Sequence, residues 1–98
     1  MTTTIVVRPP ARIDLLRYNA ERVSGIGRWS QGEFESMLRT LRQFPELFPV
    51  RFDGFRLASL RKAPFNIWYY YHKDRNEISI VRVVHKRSDP AVLQRSLR

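Results

Sequence analysis

Apolar positions recur along the chain with two different periods, and the change of period marks out its elements. Near the start, "TIVVR" (4–8) is β-branched and is halted by Pro9-Pro10, which predicts a short strand. Over 11–23, "ARIDLLRYNAERV", Ile13, Leu16, Ala20 and Val23 recur every three to four residues. That spacing predicts an amphipathic helix with arginines on its outer face. "SGIG" ends it, because two glycines leave the backbone too free to stay helical. The next helix has the clearest start signal in the chain. Ser30 precedes Glu33 with capping-box spacing, and Trp29 and Phe34 occupy the two positions of a hydrophobic staple. Phe34, Met37, Leu38, Leu41 and Phe44 form its apolar stripe, and Pro45 stops it. Two helices joined so closely make an antiparallel helical hairpin.

Beyond residue 45 the period shortens to two. "PELFPVRFDGF" (45–55) reads as a Pro-punctuated loop with a turn at Asp53-Gly54. Strand patterns follow in "FRLASLRK", "FNIWYYY" and "EISIVRVVH". In the middle one, Phe65, Ile67, Tyr69 and Tyr71 alternate with Asn66, Trp68 and Tyr70. Both faces are large, as expected of a strand inside a sheet. "HKDRN" is a hairpin loop, and Asp89-Pro90 opens a short terminal helix with Leu93 and Leu97 on one side. The order is therefore β-α-α-β-β-β with that last short helix. It predicts one α+β domain over 1–98, a helical hairpin packed on an antiparallel sheet, with the first strand joined to it.

Composition adds a charge to this outline. The 98 residues carry 18 Lys and Arg against 9 Asp and Glu, a net +9, and all but three of those cations are arginine. Arginine pairs bidentately with phosphate or carboxylate, so nucleic acid or an acidic protein is the expected partner; a solvated basic surface is the plain alternative. The absence of cysteine excludes disulfides and thiolate metal sites and fits a reducing cytoplasm. The start has no signal-peptide pattern, and no apolar run is long enough to span a membrane. Two histidines, few carboxylates and no glycine-rich phosphate loop lead us to expect no metal and no cofactor.

Arg82 sits in mid-strand, in phase with Ile78, Ile80 and Val84. A charge there is costly unless paired, so it is either aimed at a phosphate or bonded to Asp53, Glu77 or a carbonyl. His85, Lys86 and Arg87 end the same strand; His85 is the candidate general acid or base, with a capped structural histidine as the alternative. Arg56, Arg61 and Lys62 lie on the preceding strand and can converge with Arg82 and Arg87 on one basic patch. Trp68 and Tyr70 can stack on bases, although aromatics at strand period are usually core.

These residues also carry a resemblance. The helical hairpin ending in a proline, the arginine-bearing strand, "GFRLASLRKAPFNIWYYY" (54–71) and "IVRVVHKRSDP" (80–90) resemble the RelE/ParE superfamily of bacterial toxins. Such toxins are one half of type II toxin–antitoxin pairs, tied to growth inhibition and plasmid stabilisation. The resemblance implies a cytoplasmic toxin covered by a cognate antitoxin with an acidic or amphipathic segment. RelE-like members bind RNA and cut mRNA in the ribosomal A site, and by likeness Arg61 and Arg87 would form their basic grip. Leu93 stands where that branch has a tyrosine, leaving His85 as the substitute. ParE-like members inhibit DNA gyrase, and the "PF.I.YYY" and "H.RSDP" patterns lie closer to them. The order of expectation is thus gyrase inhibitor, then ribosome-dependent mRNA endonuclease, then a basic nucleic-acid-binding module without toxicity.

Overall fold

The computed structural model describes residues 3–21, 29–88 and 90–97. In chain order its elements are β1 (Thr4–Val7), α1 (Pro9–Glu21), α2 (Gln31–Gln43), β2 (Val50–Phe52), β3 (Phe55–Ser59), β4 (Phe65–His72), β5 (Glu77–His85) and α3 (Pro90–Leu97). The strands form one sheet in the order β1-β5-β4-β3-β2. β2 to β5 are antiparallel, as the sequence pattern predicts, while β1 lies parallel to β5, which makes the sheet mixed. α1 and α2 cover one face, around Tyr69, Ile67, Ile78, Ile80 and Val83. α3 covers the other, where Leu93 and Leu97 pack with Trp68 and Val84.

Short turns set the registers. Asp53 (φ 47°) and Gly54 (φ 83°) both lie in the left-handed region, as a two-residue hairpin loop requires. The segment read as a loop therefore contains β2, paired to β3 across that turn. A side chain at Gly54 would also meet the Tyr70 ring, 2.6 Å from its Cβ. Asn76, left-handed at φ 48°, closes the β4–β5 connection, and its Oδ1 accepts from the hydroxyls of Thr3 and Tyr71.

β5 departs from plain alternation. Tyr69 faces Ile80 while Trp68 faces Arg82, so Val81 is an extra, bulged residue. The bulge resets the phase: Ile78, Ile80 and Val83 enter the helix-side core, and Val81 and Val84 pack towards α3. Arg82 is therefore not simply in phase with Ile78 and Ile80.

The larger correction concerns α1. Ile13 and Leu16, the expected apolar face, are 66% and 67% exposed, and Ala20 is exposed as well. Val23 and the "SGIG" stop lie outside the described residues, as does the Asp89 cap. The helix instead turns Ala11, Asp14, Leu15 and Tyr18 inward. The reason lies at the edge of β5. Its pairing with β1 ends at Val7 opposite Ile80, leaving the main chain beyond without a strand on that side. Asp14 and Tyr18, one helical turn apart, fill the place. Asp14 Oδ2 accepts from the Val83 N–H at 3.0 Å, and the Tyr18 hydroxyl donates to the Val83 carbonyl at 2.8 Å. The same carboxylate takes Arg82 bidentately, Nε to Oδ2 at 2.8 Å and Nη2 to Oδ1 at 3.1 Å. Hydrogen bonding to Asp14 raises the Arg82 pKa above its usual value, outweighing the opposing effect of burial. Burial pushes the Tyr18 hydroxyl up in turn.

The α2 start follows the sequence signal in part. The Glu33 N–H donates to Ser30 Oγ at 3.1 Å, and the Trp29 and Phe34 rings pack at 5.5 Å. Phe34 and Leu41 are buried, but Phe44, at the C-cap, is 59% exposed. The Glu33 carboxylate goes elsewhere, as described below.

Because one carboxylate serves a guanidinium and an edge amide, its removal strands both. Asp14→Ala is expected to cost about 3–5 kcal/mol, the range for breaking a buried pair. Asp14→Asn, which still accepts from Val83, should lose less, and Tyr18→Phe about 1 kcal/mol. Urea unfolding midpoints of the three variants check this order; an Asp14→Ala midpoint equal to wild type would contradict it.

Candidate functional site

β3 ends at Ser59, so Arg61 and Lys62 stand on the turn that leads to β4 and not on the strand itself. That turn is clamped from two sides. From α2, the Glu33 carboxylate accepts three successive main-chain N–H groups: Arg61 at 2.7 Å and Lys62 at 2.9 Å on Oε2, and Ala63 at 2.8 Å on Oε1. From the end of β5, Lys86 Nζ donates to the Leu60 carbonyl at 3.0 Å, and its N–H to the Pro64 carbonyl at 2.9 Å. Burial pushes the Glu33 pKa up, but the N–H bonds from Lys62, Ala63 and Arg61 pull it further down, to a net value below the usual range. Arg61 and Lys62 are exposed, and so are Lys86 and Arg87. The fold thus gathers Arg61, Lys62 and Lys86 at one end of the sheet.

Two other predicted cations are held away from that group. Arg56 pairs with Tyr69 in register, and its guanidinium is taken by the Phe48 carbonyl at 2.6 Å and Glu46 at 3.6 Å. Arg82 is bound by Asp14, which is not among the partners expected from the sequence, Asp53, Glu77 or a carbonyl. Both cations hold elements together.

On the α3 face, a cavity of about 300 Å3 opens between the sheet and α3. Phe52, Leu57, Trp68, Val84 and Leu93 supply its apolar wall, and Arg51, His85 and Lys86 its cationic and imidazole groups. Trp68 is 8% exposed, so it belongs to the core as its strand period suggests. Its indole Nε1 is enclosed and has no hydrogen-bond partner among the described residues. Leaving such a donor unpaired costs roughly 1–3 kcal/mol. Arg51, which the sequence places just before the strand of Arg56, lies on β2, in the segment read as a loop.

His85 is fixed by its neighbours. Its Nδ1 accepts the Arg87 N–H at 3.0 Å, and its ring meets Phe65 edge-on at 5.3 Å. With Nδ1 used as an acceptor, the neutral imidazole carries its proton on Nε2. In that tautomer Nε2 is a donor. Leu93 is buried against Trp68 and Val84. Among the described residues no cluster of His, Cys, Asp or Glu is able to hold a metal ion, and no helix is long and apolar enough to cross a membrane.

The sign of the Glu33 shift fixes its acid response. Its folded pKa lies below the ordinary 4.5, so its hold on the turn is complete above that pH. The hold is lost as pH falls through the lowered folded value. The amide resonances of Arg61, Lys62 and Ala63 should stay fixed from neutral pH to 4.5 and move together only in stronger acid. Movement that is complete before pH 4.5 is reached would contradict the geometry.

No protein-family model matches the sequence, and no curated protein matches it either. Among solved structures, the fold matches a chain in the crystal structure of the toxin–antitoxin complex RelBE2 from Mycobacterium tuberculosis, with a TM-score of 0.61. The match covers 87% of this chain and 99% of that chain, at 20% sequence identity. At that identity the likeness concerns architecture, which in this chain is a five-stranded mixed sheet with helices packed on it. This chain has the RelE-like fold.

Proposed function

We propose that this protein is the toxin half of a toxin–antitoxin pair and arrests growth in the cytoplasm by gripping its target, as ParE-like members do with DNA gyrase. The fold shared with a chain of a toxin–antitoxin complex supports the toxin role and a cognate antitoxin as partner. The observation that carries the non-cleaving choice is His85. RNA cleavage by a 2′-hydroxyl needs a group that takes its proton. Neutral His85 has its Nδ1 lone pair on the Arg87 amide and its proton on Nε2, and Leu93 is packed in the α3 core. The exposed cations Arg61, Lys62, Lys86 and Arg87 then serve as a binding surface, with the cavity beside Trp68 as its apolar part.

A second reading, the RelE-like ribosome-dependent mRNA endonuclease, is favoured by one arrangement. Arg61, Lys62 and Lys86 cluster on the turn as a backbone-gripping set would. Inducing the protein alone in a bacterium separates the readings. Filamentation at arrest is the expected outcome and reports DNA damage. Arrest without elongation would transfer the assignment to translation, and His85→Ala should then abolish toxicity. Normal growth would leave a basic nucleic-acid-binding module, whose affinity should fall steeply with salt.

A further inference from the structure

The carboxylate of Glu33 reaches from the helical layer to the exposed basic turn. In a capping box it would return to the Ser30 N–H; here it accepts from Arg61, Lys62 and Ala63 instead. Three consecutive N–H groups converging on one anion form a nest, and the run of donors ends at Pro64, which has none. Ala63, 2% exposed, anchors the inner side of the turn, while Arg61 and Lys62 lie at the surface. The Phe65 N–H to Ala63 carbonyl and Leu60 N–H to Phe65 carbonyl bonds assist within the turn, and the two Lys86 bonds hold its ends at Leu60 and Pro64. The Glu33 acceptor therefore sets where these two cations stand relative to Lys86.

We propose that Glu33 is a positioning residue for the Arg61–Lys62 pair, so that the first turn of α2 controls the grip on the target. The inference rests on the reading that these cations meet the target. It makes α2 and the target-facing turn one mechanical unit. A partner that shifts the start of α2 withdraws the basic pair without touching either side chain. Neutralising the carboxylate has the same effect, because a Gln amide in its place turns an N–H₂ group towards one of the N–H donors.

The test compares Glu33→Gln, Ser30→Ala and the double substitution Arg61→Ala/Lys62→Ala in the full chain. Growth arrest is read as the inducer level it requires, and amide spectra confirm folding. Glu33→Gln should displace the amide resonances of residues 61–63 and reduce toxicity as much as the double substitution does. Added to the double substitution, it should reduce toxicity no further. Ser30→Ala loosens the same helix start but leaves the carboxylate, so it should remain toxic. Equal losses from Ser30→Ala and Glu33→Gln would mean simple destabilisation and overturn the proposal. So would full toxicity of Glu33→Gln with displaced 61–63 amides, or additive losses. If Glu33→Gln does not fold, Ala63→Pro removes one of the three donors from the other side and should produce the same loss; full toxicity there would overturn it. If the double substitution itself stays fully toxic, the target-contact reading fails, and the positioning role falls with it.

Discussion

A strand edge that outruns its neighbour has to be satisfied by something. β5 continues from Val81 to His85 after β1 has ended, and a main chain with unpaired groups cannot be enclosed without partners. α1 resolves this with side chains placed one turn apart, Asp14 for the amide and Tyr18 for the carbonyl of Val83. Much of the molecule follows from that choice. It fixes the rotation of α1, turns Ile13 and Leu16 outward, and captures Arg82 beside the bulge. Tyr18, once placed, brings its ring against Trp29 and Phe65, and so joins the end of α1 to the start of α2 and to β4.

This is also where the reading of the sequence parts from the structure. The period of 11–23 correctly signals a helix, but hydrophobicity alone selects the wrong face, because the face that packs is chosen by hydrogen bonding to an edge 69 residues away. The β5 pattern likewise identifies a strand and conceals its bulge, since Val81, Val83 and Val84 look alike and only their partners differ. Local signals fared better. Ser30, Trp29 and Phe34 act within a few residues of each other, and they form the cap and staple that their spacing indicates. The strand pairing from Phe55 onward was legible for the same reason, since each connection is short.

Charge was legible in amount and not in assignment. Two arginines within strands, Arg56 and Arg82, are engaged by Glu46, Phe48 and Asp14. Those partners lie on α1 and on the loop between α2 and β2, so strand phase alone could not identify them. Arg61, Lys62, Lys86 and Arg87 occupy turns, where no period constrains them. Their arrangement depends on Glu33 and on Lys86 reaching the Leu60 carbonyl, contacts between segments far apart in sequence. The cavity beside Trp68 has the same origin, because β2, β4, β5 and α3 all contribute walls to it.

The parallel pairing of β1 with β5 has a consequence for synthesis. Thr4 and Glu77 are register partners, and the Asp14 and Tyr18 bonds close loops almost as long. Until β5 has emerged from the ribosome, β1 lacks its sheet partner and α1 lacks the edge it caps. Such long-range closure places the docking of the N-terminal segment late in folding. A nascent chain that has reached only β4 therefore has neither the complete sheet nor Lys86, the residue that completes the clamp on the basic turn. The surface we assign to target binding is assembled only when translation has passed residue 86.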